Sequence, residues 1–130
     1  MDNKMKVLVV DDEPDVIRVI GKRLEMEGFE VSSARGGKEA LAAIASGKPD
    51  AVLLDIHMPD MAGVEVLKEI RRSDQRLPVF FLTADPVGAT FEEAKELNAS
   101  GFILKTRDIH GEIRSITSAI SLSKRFKGSE

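Results

Sequence analysis

The sequence contains no cysteine, which excludes a disulfide, a thiolate metal site and a cysteine nucleophile, so packing alone must hold the fold in any redox compartment. No apolar run is long enough to span a bilayer. The amino-terminal MDNKMK leads directly into the short stretch VLVV with no cleavage signature after it. A basic excess is missing as well: 19 Lys and Arg against 22 Asp and Glu give a net charge of −3, unlike a dedicated nucleic-acid binder. There are only two histidines. His57 has no second histidine near it in sequence, so it reads as a solvent-facing loop residue before it reads as a phosphohistidine or a metal ligand, and His110 reads as an ordinary helix residue. The pair Gly36 and Gly37 lacks the lysine and serine or threonine motif of a phosphate loop and reads as a turn. These absences lead to the expectation of a cytoplasmic, soluble protein with no direct nucleic-acid or membrane partner.

What is present is an ordinary globular composition, 42% hydrophobic and 32% charged over 130 residues, enough for one compact domain and too little for a second. Short apolar strands alternate with amphipathic helices five times, without repeats or linkers. Val7 to Val10 is followed by a helix starting near Pro14 or Asp15, with Val16, Ile17, Ile20 and Leu24 on one face and an end before Gly28. Phe29 and Val31 alternate with polar residues as in an edge strand, and Ala40, Leu41 and Ile44 mark a short helix. Ala51 to Leu54 is continuously apolar, His57 to Gly63 is a loop, and Val66, Leu67 and Ile70 mark a third helix. Val79 to Leu82 precedes Val87, Phe91, Ala94 and Leu97. Phe102 to Leu104 precedes Ile109, Ile113, Ile116 and Ile120.

Strict alternation implies parallel strands joined by crossover helices, and the unbroken apolar runs imply strands covered on both faces. The expectation is a doubly wound α/β protein whose strands all end at one edge, where open sheets bind ligands. At that edge stand Asp11 and Asp12 after the first strand, Asp55 after the third, Thr83 after the fourth and Lys105 after the fifth. Two carboxylates about 4 Å apart repel by about 4 kcal/mol at an effective dielectric near 20. Three of them must therefore raise a pKa, attract a lysine or bind a cation. Magnesium suits such a set, because it takes one or two carboxylates together with waters and phosphate oxygens, whereas no calcium-loop spacing occurs. Adjacent residues leaving a strand point to opposite sides, so one of Asp11 and Asp12 is expected to act through water.

The segments VLVVDDEP, LLDIHMPDMAG, FFLTAD and GFILK resemble the successive motifs of response-regulator receiver domains of two-component signalling systems. The resemblance spans essentially the whole chain, and each motif closes the corresponding strand. It implies a stand-alone, chemotaxis-regulator-like receiver over residues 1–130, with a core of about 5–126. The implied fold is a flavodoxin-like five-stranded parallel sheet in the order 2-1-3-4-5 with helices on both faces. It also implies that Asp55 is the phosphoacceptor, that Asp12 ligates Mg2+ directly and Asp11 through water, and that the backbone carbonyl of His57 is a further metal ligand. Thr83 would bind a phosphoryl oxygen. Lys105 would pair with the acids at rest and with the phosphoryl group afterwards. Thr83 and Phe102 would form the switch. The implied donor is a histidine kinase or histidine phosphotransfer protein, and the implied reader is an output protein on the face of the fourth helix, fifth strand and fifth helix. The implied chemistry is self-phosphorylation and autodephosphorylation, without turnover of a separate substrate. The sequence departs from the family at two places. Thr106 stands where a proline usually follows the lysine, and Phe102 replaces the commoner tyrosine, which removes any switching role for a hydroxyl.

Each residue also has a plainer reading. An aspartate just past a strand is commonly a helix cap or turn former, and Asp50 and Asp60 are read in that way. Caps alone would not bring a threonine and a lysine to the same edge. A phosphatase with an aspartate nucleophile would use similar groups, but its two aspartates resemble a pair spaced two residues apart after the first strand. Here the acids are adjacent and Asp55 follows the third strand. A degenerate receiver serving only as a binding module is the other alternative, and Asp55 and Lys105 argue against it.

Overall fold

In a computed structural model the described residues are 4–83, 89–104, 114, 117, 118 and 120, with the side chains of 89 and 90 left aside. The elements alternate as β1 (Lys6–Val10), α1 (Pro14–Met26), β2 (Glu30–Ala34), α2 (Gly37–Gly47), β3 (Ala51–Asp55), α3 (Gly63–Ser73), β4 (Val79–Thr83), α4 (Ala89–Glu96) and β5 (Gly101–Leu104). The strands form one sheet in the order β2-β1-β3-β4-β5 with every pairing parallel. This is the doubly wound arrangement expected from the sequence.

The apolar runs explain why the sheet is covered twice. Side chains alternate across a strand, and they sort into two separate cores. Leu8, Val10, Val52, Leu54, Val79 and Phe81 pack with Ala40 of α2, Val66, Leu67 and Ile70 of α3 and Ala94 of α4. Val7, Val9, Leu53, Phe80, Leu82 and Ile103 pack on the opposite face with Ile20 and Leu24 of α1 and with Ile120. Each large apolar side chain buried in this way stabilises the fold by about 1.5–3 kcal/mol. β3 and β4 are buried along their whole length, whereas β2 at the edge buries only Ala34 fully.

The boundaries differ from expectation by a residue or two. Phe29 is buried but precedes β2, which begins at Glu30. Gly63 is the first residue of α3 and not the end of a loop. Asp55 and Thr83 are the last residues of their strands, because the ladder continues through Asp55 opposite Leu82 and Thr83 opposite Leu104. Val87, Ile109, Ile113 and Ile116 lie outside the described residues.

Candidate functional site

β1 and β3 are neighbours in the sheet, so the residues that end them meet at one edge. One oxygen from each of Asp11, Asp12 and Asp55 lies within 4.8 Å of the other two. Asp11 is fully buried and Asp55 nearly so, while Asp12 is half-buried. Local bonds aim these groups. The Asp11 amide donates to the carbonyl of Ala34 at 3.1 Å, which continues the β1–β2 ladder by one step. Its Oδ1 accepts from the Glu13 amide at 2.9 Å, an Asx turn that bends the chain into α1. Beyond that bend strand alternation no longer applies, and both carboxylates of the adjacent pair contribute to one cluster. Pro14 then opens α1 at a position where no amide hydrogen is needed.

The segment after Asp55 turns back tightly. The His57 amide donates to Asp55 Oδ1 at 3.3 Å, and the Gly63 amide donates to the Ile56 carbonyl at 2.8 Å. A Cβ on Gly63 would stand 2.4 Å from the Asp55 carbonyl oxygen and 2.9 Å from Ile56 Cα. Only glycine lets α3 start this close to the end of β3. Ile56 and Met58 point into the core, whereas the His57 side chain is exposed, as a solvent-facing loop residue should be.

Thr83 ends the adjacent strand β4, one position beyond the partner of Asp55, and is buried. Phe81, two residues earlier on the same face, stacks on Phe102 of β5 with ring centroids 5.8 Å apart. Phe102 also meets Phe91 of α4 at 4.6 Å. Lys105, Thr106 and His110 lie outside the described residues.

A small hard cation suits three carboxylates held together in this way. Their oxygens all lie within 4.8 Å of one another, a donor set that fits a divalent cation such as Mg2+, which takes one or two carboxylates together with waters.

Two polar features were not anticipated in their present form. Asp60 and Asp50, read as turn residues, bond to distant backbone: Asp60 to the amides of Gly37 and Lys38 at 3.0 and 3.2 Å, and Asp50 to the Lys6 amide at 2.7 Å. Arg71, an unremarked residue of the last turn of α3, is buried and donates to the carbonyls of Leu97, Asn98 and Asp74. One signal for Asp60 was available. α2 starts at a glycine pair with no Ser, Thr, Asp or Asn at its cap position, which leaves its first amides open to an acceptor from elsewhere in the chain.

A doubly wound parallel sheet with a buried acidic cluster at the carboxyl ends of β1 and β3 defines the flavodoxin-like class of α/β proteins that bind charged ligands at this edge. Comparison narrows the class. The family described as response regulator receiver domain matches residues 7–116, and the chain belongs to it. Among curated relatives, the regulatory protein AtoC of Escherichia coli is 38% identical over 104 residues, covering 80% of this chain and 23% of AtoC. The alkaline phosphatase synthesis transcriptional regulatory protein PhoP of Bacillus subtilis is 32% identical over 114 residues, covering 85% of this chain and 48% of PhoP. The chain thus spans between about a quarter and a half of the length of these two relatives. Among solved structures, the chemotaxis response regulator CheY4 of Vibrio cholerae has a TM-score of 0.82 at 28% identity, covering 90% of this chain and 99% of CheY4. The response regulator TrrA of Thermotoga maritima, solved in complex with Mg2+ and BeF, has a TM-score of 0.79 at 31% identity, covering 88% and 98%. Receiver domains are signalling regulators, and among the described residues no helix is long and apolar enough to cross a membrane.

Proposed function

We propose that this receiver domain accepts a phosphoryl group on the carboxylate of Asp55, with Mg2+ held by Asp12, Asp55 and the backbone carbonyl of His57, and by Asp11 through water. The observation that carries this reading is the convergence of the Asp11, Asp12 and Asp55 carboxylates beside Thr83. The Mg2+–BeF complex of TrrA supports it by likeness. The donor is a histidine kinase or a histidine phosphotransfer protein. An Asp55 oxygen attacks phosphorus in line, a P–O bond forms, and the P–N bond of the phosphohistidine breaks with its electron pair leaving on the imidazole. Bound magnesium supplies positive charge to a transferring group that would otherwise be repelled by the acids. Lys105 offsets further charge, and the Thr83 hydroxyl donates to a phosphoryl oxygen. Burial of Asp55 keeps competing water sparse around its carboxylate. Thr83 and Phe102 then pass the change to a surface of α4, β5 and the segment after it, which an output protein reads.

The test is the intact mass after incubation with magnesium and acetyl phosphate. One added phosphoryl group is expected, absent in Asp55→Asn and absent with chelator. Label at another residue would refute the assignment, and many turnovers of an aryl phosphate would indicate a phosphatase instead.

A further inference from the structure

The acidic cluster is built from two parts of the chain that share no covalent neighbourhood: Asp11 and Asp12 after β1, and Asp55 with its loop after β3. A connection between these parts runs outside the cluster. Asp11 donates its amide to Ala34, the last residue of β2. Two residues later Gly36 takes the cap position of α2, which has no side-chain cap of its own. Asp60, 23 and 22 residues away from Gly37 and Lys38, fills that role by accepting from both amides. A carboxylate bridging two adjacent amides at a helix start is favoured by hydrogen bonding and by the helix dipole together.

The chain is shaped to admit it. A Cβ on Gly36 would stand 2.9 Å from Asp60 Oδ1. A Cβ on Gly37 would stand 2.6 Å from Met61 Cβ and 2.9 Å from Val66 Cγ2. At its far end the loop is fixed by the Gly63 bond to Ile56 and by the tight approach of Gly63 to the Asp55 carbonyl. The path therefore closes: Asp11 to Ala34, along the β2–α2 turn to Gly37, across to Asp60, and back through the loop to Asp55.

We propose that Asp60 is a positioning residue for the cation and phosphoryl site, holding residues 56–63 against the start of α2 so that Asp55 and the His57 carbonyl keep their register with Asp11 and Asp12. The proposal rests on the receiver reading given above. Asp60 itself touches neither cation nor phosphoryl group. Losing the clamp lowers the fraction of molecules whose loop is ready to bind, and apparent affinity falls by that fraction.

The experiment is a magnesium titration of the whole chain, followed by the amide resonances of Asp12 and His57, with the rate of phosphorylation by acetyl phosphate measured alongside. Asp60→Ala is expected to weaken magnesium binding by about three- to tenfold and to slow phosphorylation at limiting metal, with the rate recovering at saturating metal. Asp60→Asn, which still offers one acceptor oxygen, should fall between. Gly36→Ala keeps the carboxylate but intrudes on it, and should act in the same direction if Asp60→Ala folds poorly. Asp50→Ala is the control, since it removes a carboxylate-to-backbone bond at the start of β1. It should lower the melting temperature without moving magnesium affinity. Unchanged magnesium affinity in Asp60→Ala and Gly36→Ala, with wild type binding normally, would overturn the positioning role alone. Failure of the wild type to bind magnesium would overturn the receiver reading, and this proposal with it.

Discussion

Gly63 and Gly47 show how little a residue type says without its surroundings. Both belong to helices, at the first position of α3 and the last of α2. A Cβ on Gly63 would collide with the Asp55 carbonyl at 2.4 Å, and backbone cannot swing aside, whereas a Cβ on Gly47 meets nothing within 4 Å. Gly63→Ala is therefore expected to cost about 1–3 kcal/mol, as overpacking does, while Gly47→Ala should gain up to about 1 kcal/mol from helix propensity. Urea denaturation of the two variants checks the contrast. A neutral Gly63→Ala would mean that the loop can shift away from α3. Asp60 carries a prediction at the same scale. The amides of Gly37 and Lys38 hold its carboxyl below the usual carboxylate value. A group whose folded pKa is depressed contributes stability that is fully present above its unfolded pKa and is lost as pH falls through the folded one. The stability difference between wild type and Asp60→Asn should accordingly be largest near neutrality, begin to shrink as pH falls below about 4, and be lost only below the lowered pKa of the folded protein. Denaturant titrations at both ends of that window test it, and a difference that grows on acidification would contradict the sign.

Between elements, Arg71 does what no apolar contact could. Its guanidinium, buried at the end of α3, donates to the carbonyls of Leu97 and Asn98, the two residues just past the end of α4, and to the carbonyl of Asp74 in its own connection. Asn98 takes a left-handed conformation there, with φ 58°, one that asparagine tolerates better than most residues. Burial lowers the pKa of Arg71, yet an arginine remains charged. Arg71→Leu keeps the apolar stem and removes the donors, so it should destabilise by about 2–3 kcal/mol, with faster amide exchange at the end of α4. A loss below about 0.5 kcal/mol would show that water replaces the guanidinium. Interactions of this kind were the least legible in sequence. Val7–Val10, Ala51–Leu54 and Val79–Leu82 announce central strands because both sheet faces demand apolar residues, and the acids, Thr83 and Lys105 stand out because each follows such a run. Arg71 carries no periodicity of its own, being one polar position in a helix end. Asp60 and Gly37 lie 23 residues apart, and pattern within an element says nothing about pairing across two. β2 was weakly marked for a related reason. It is an edge strand with Ser32 and Ser33 exposed, so only Val31 and Ala34 report burial.

For the molecule as a whole, the parallel sheet places the acidic cluster at the ends of β1 and β3 and the aromatic stack between β4, β5 and α4. Thr83 belongs to both neighbourhoods. It ends the strand beside Asp55, and it shares a strand face with Phe81, whose ring contacts Phe102. Phe102 is only half-buried and rests between Phe81 and Phe91, with the Lys95 ammonium 5.4 Å over the Phe91 ring. Aromatic pairs contribute about 0.5–1.5 kcal/mol beyond area burial. That is enough to bias a two-state side chain several-fold and too little to lock it. If a phosphoryl group on Asp55 draws the Thr83 hydroxyl inward, the space beside Phe81 changes and the populations of Phe102 and α4 shift with it. The expected outcome is a set of phosphorylation-dependent changes in amide exchange or chemical shift concentrated in residues 83–111. Thr83→Ala should leave phosphorylation of Asp55 possible but suppress those distant changes, because the link between the charge and the stack is gone. Phe91→Ala should leave the covalent step untouched and reduce the bias that holds Phe102, so that part of the shift appears before phosphorylation. Changes confined to residues 55–63 in the wild type, or distant changes that survive in Thr83→Ala, would show that the signal does not travel through β4.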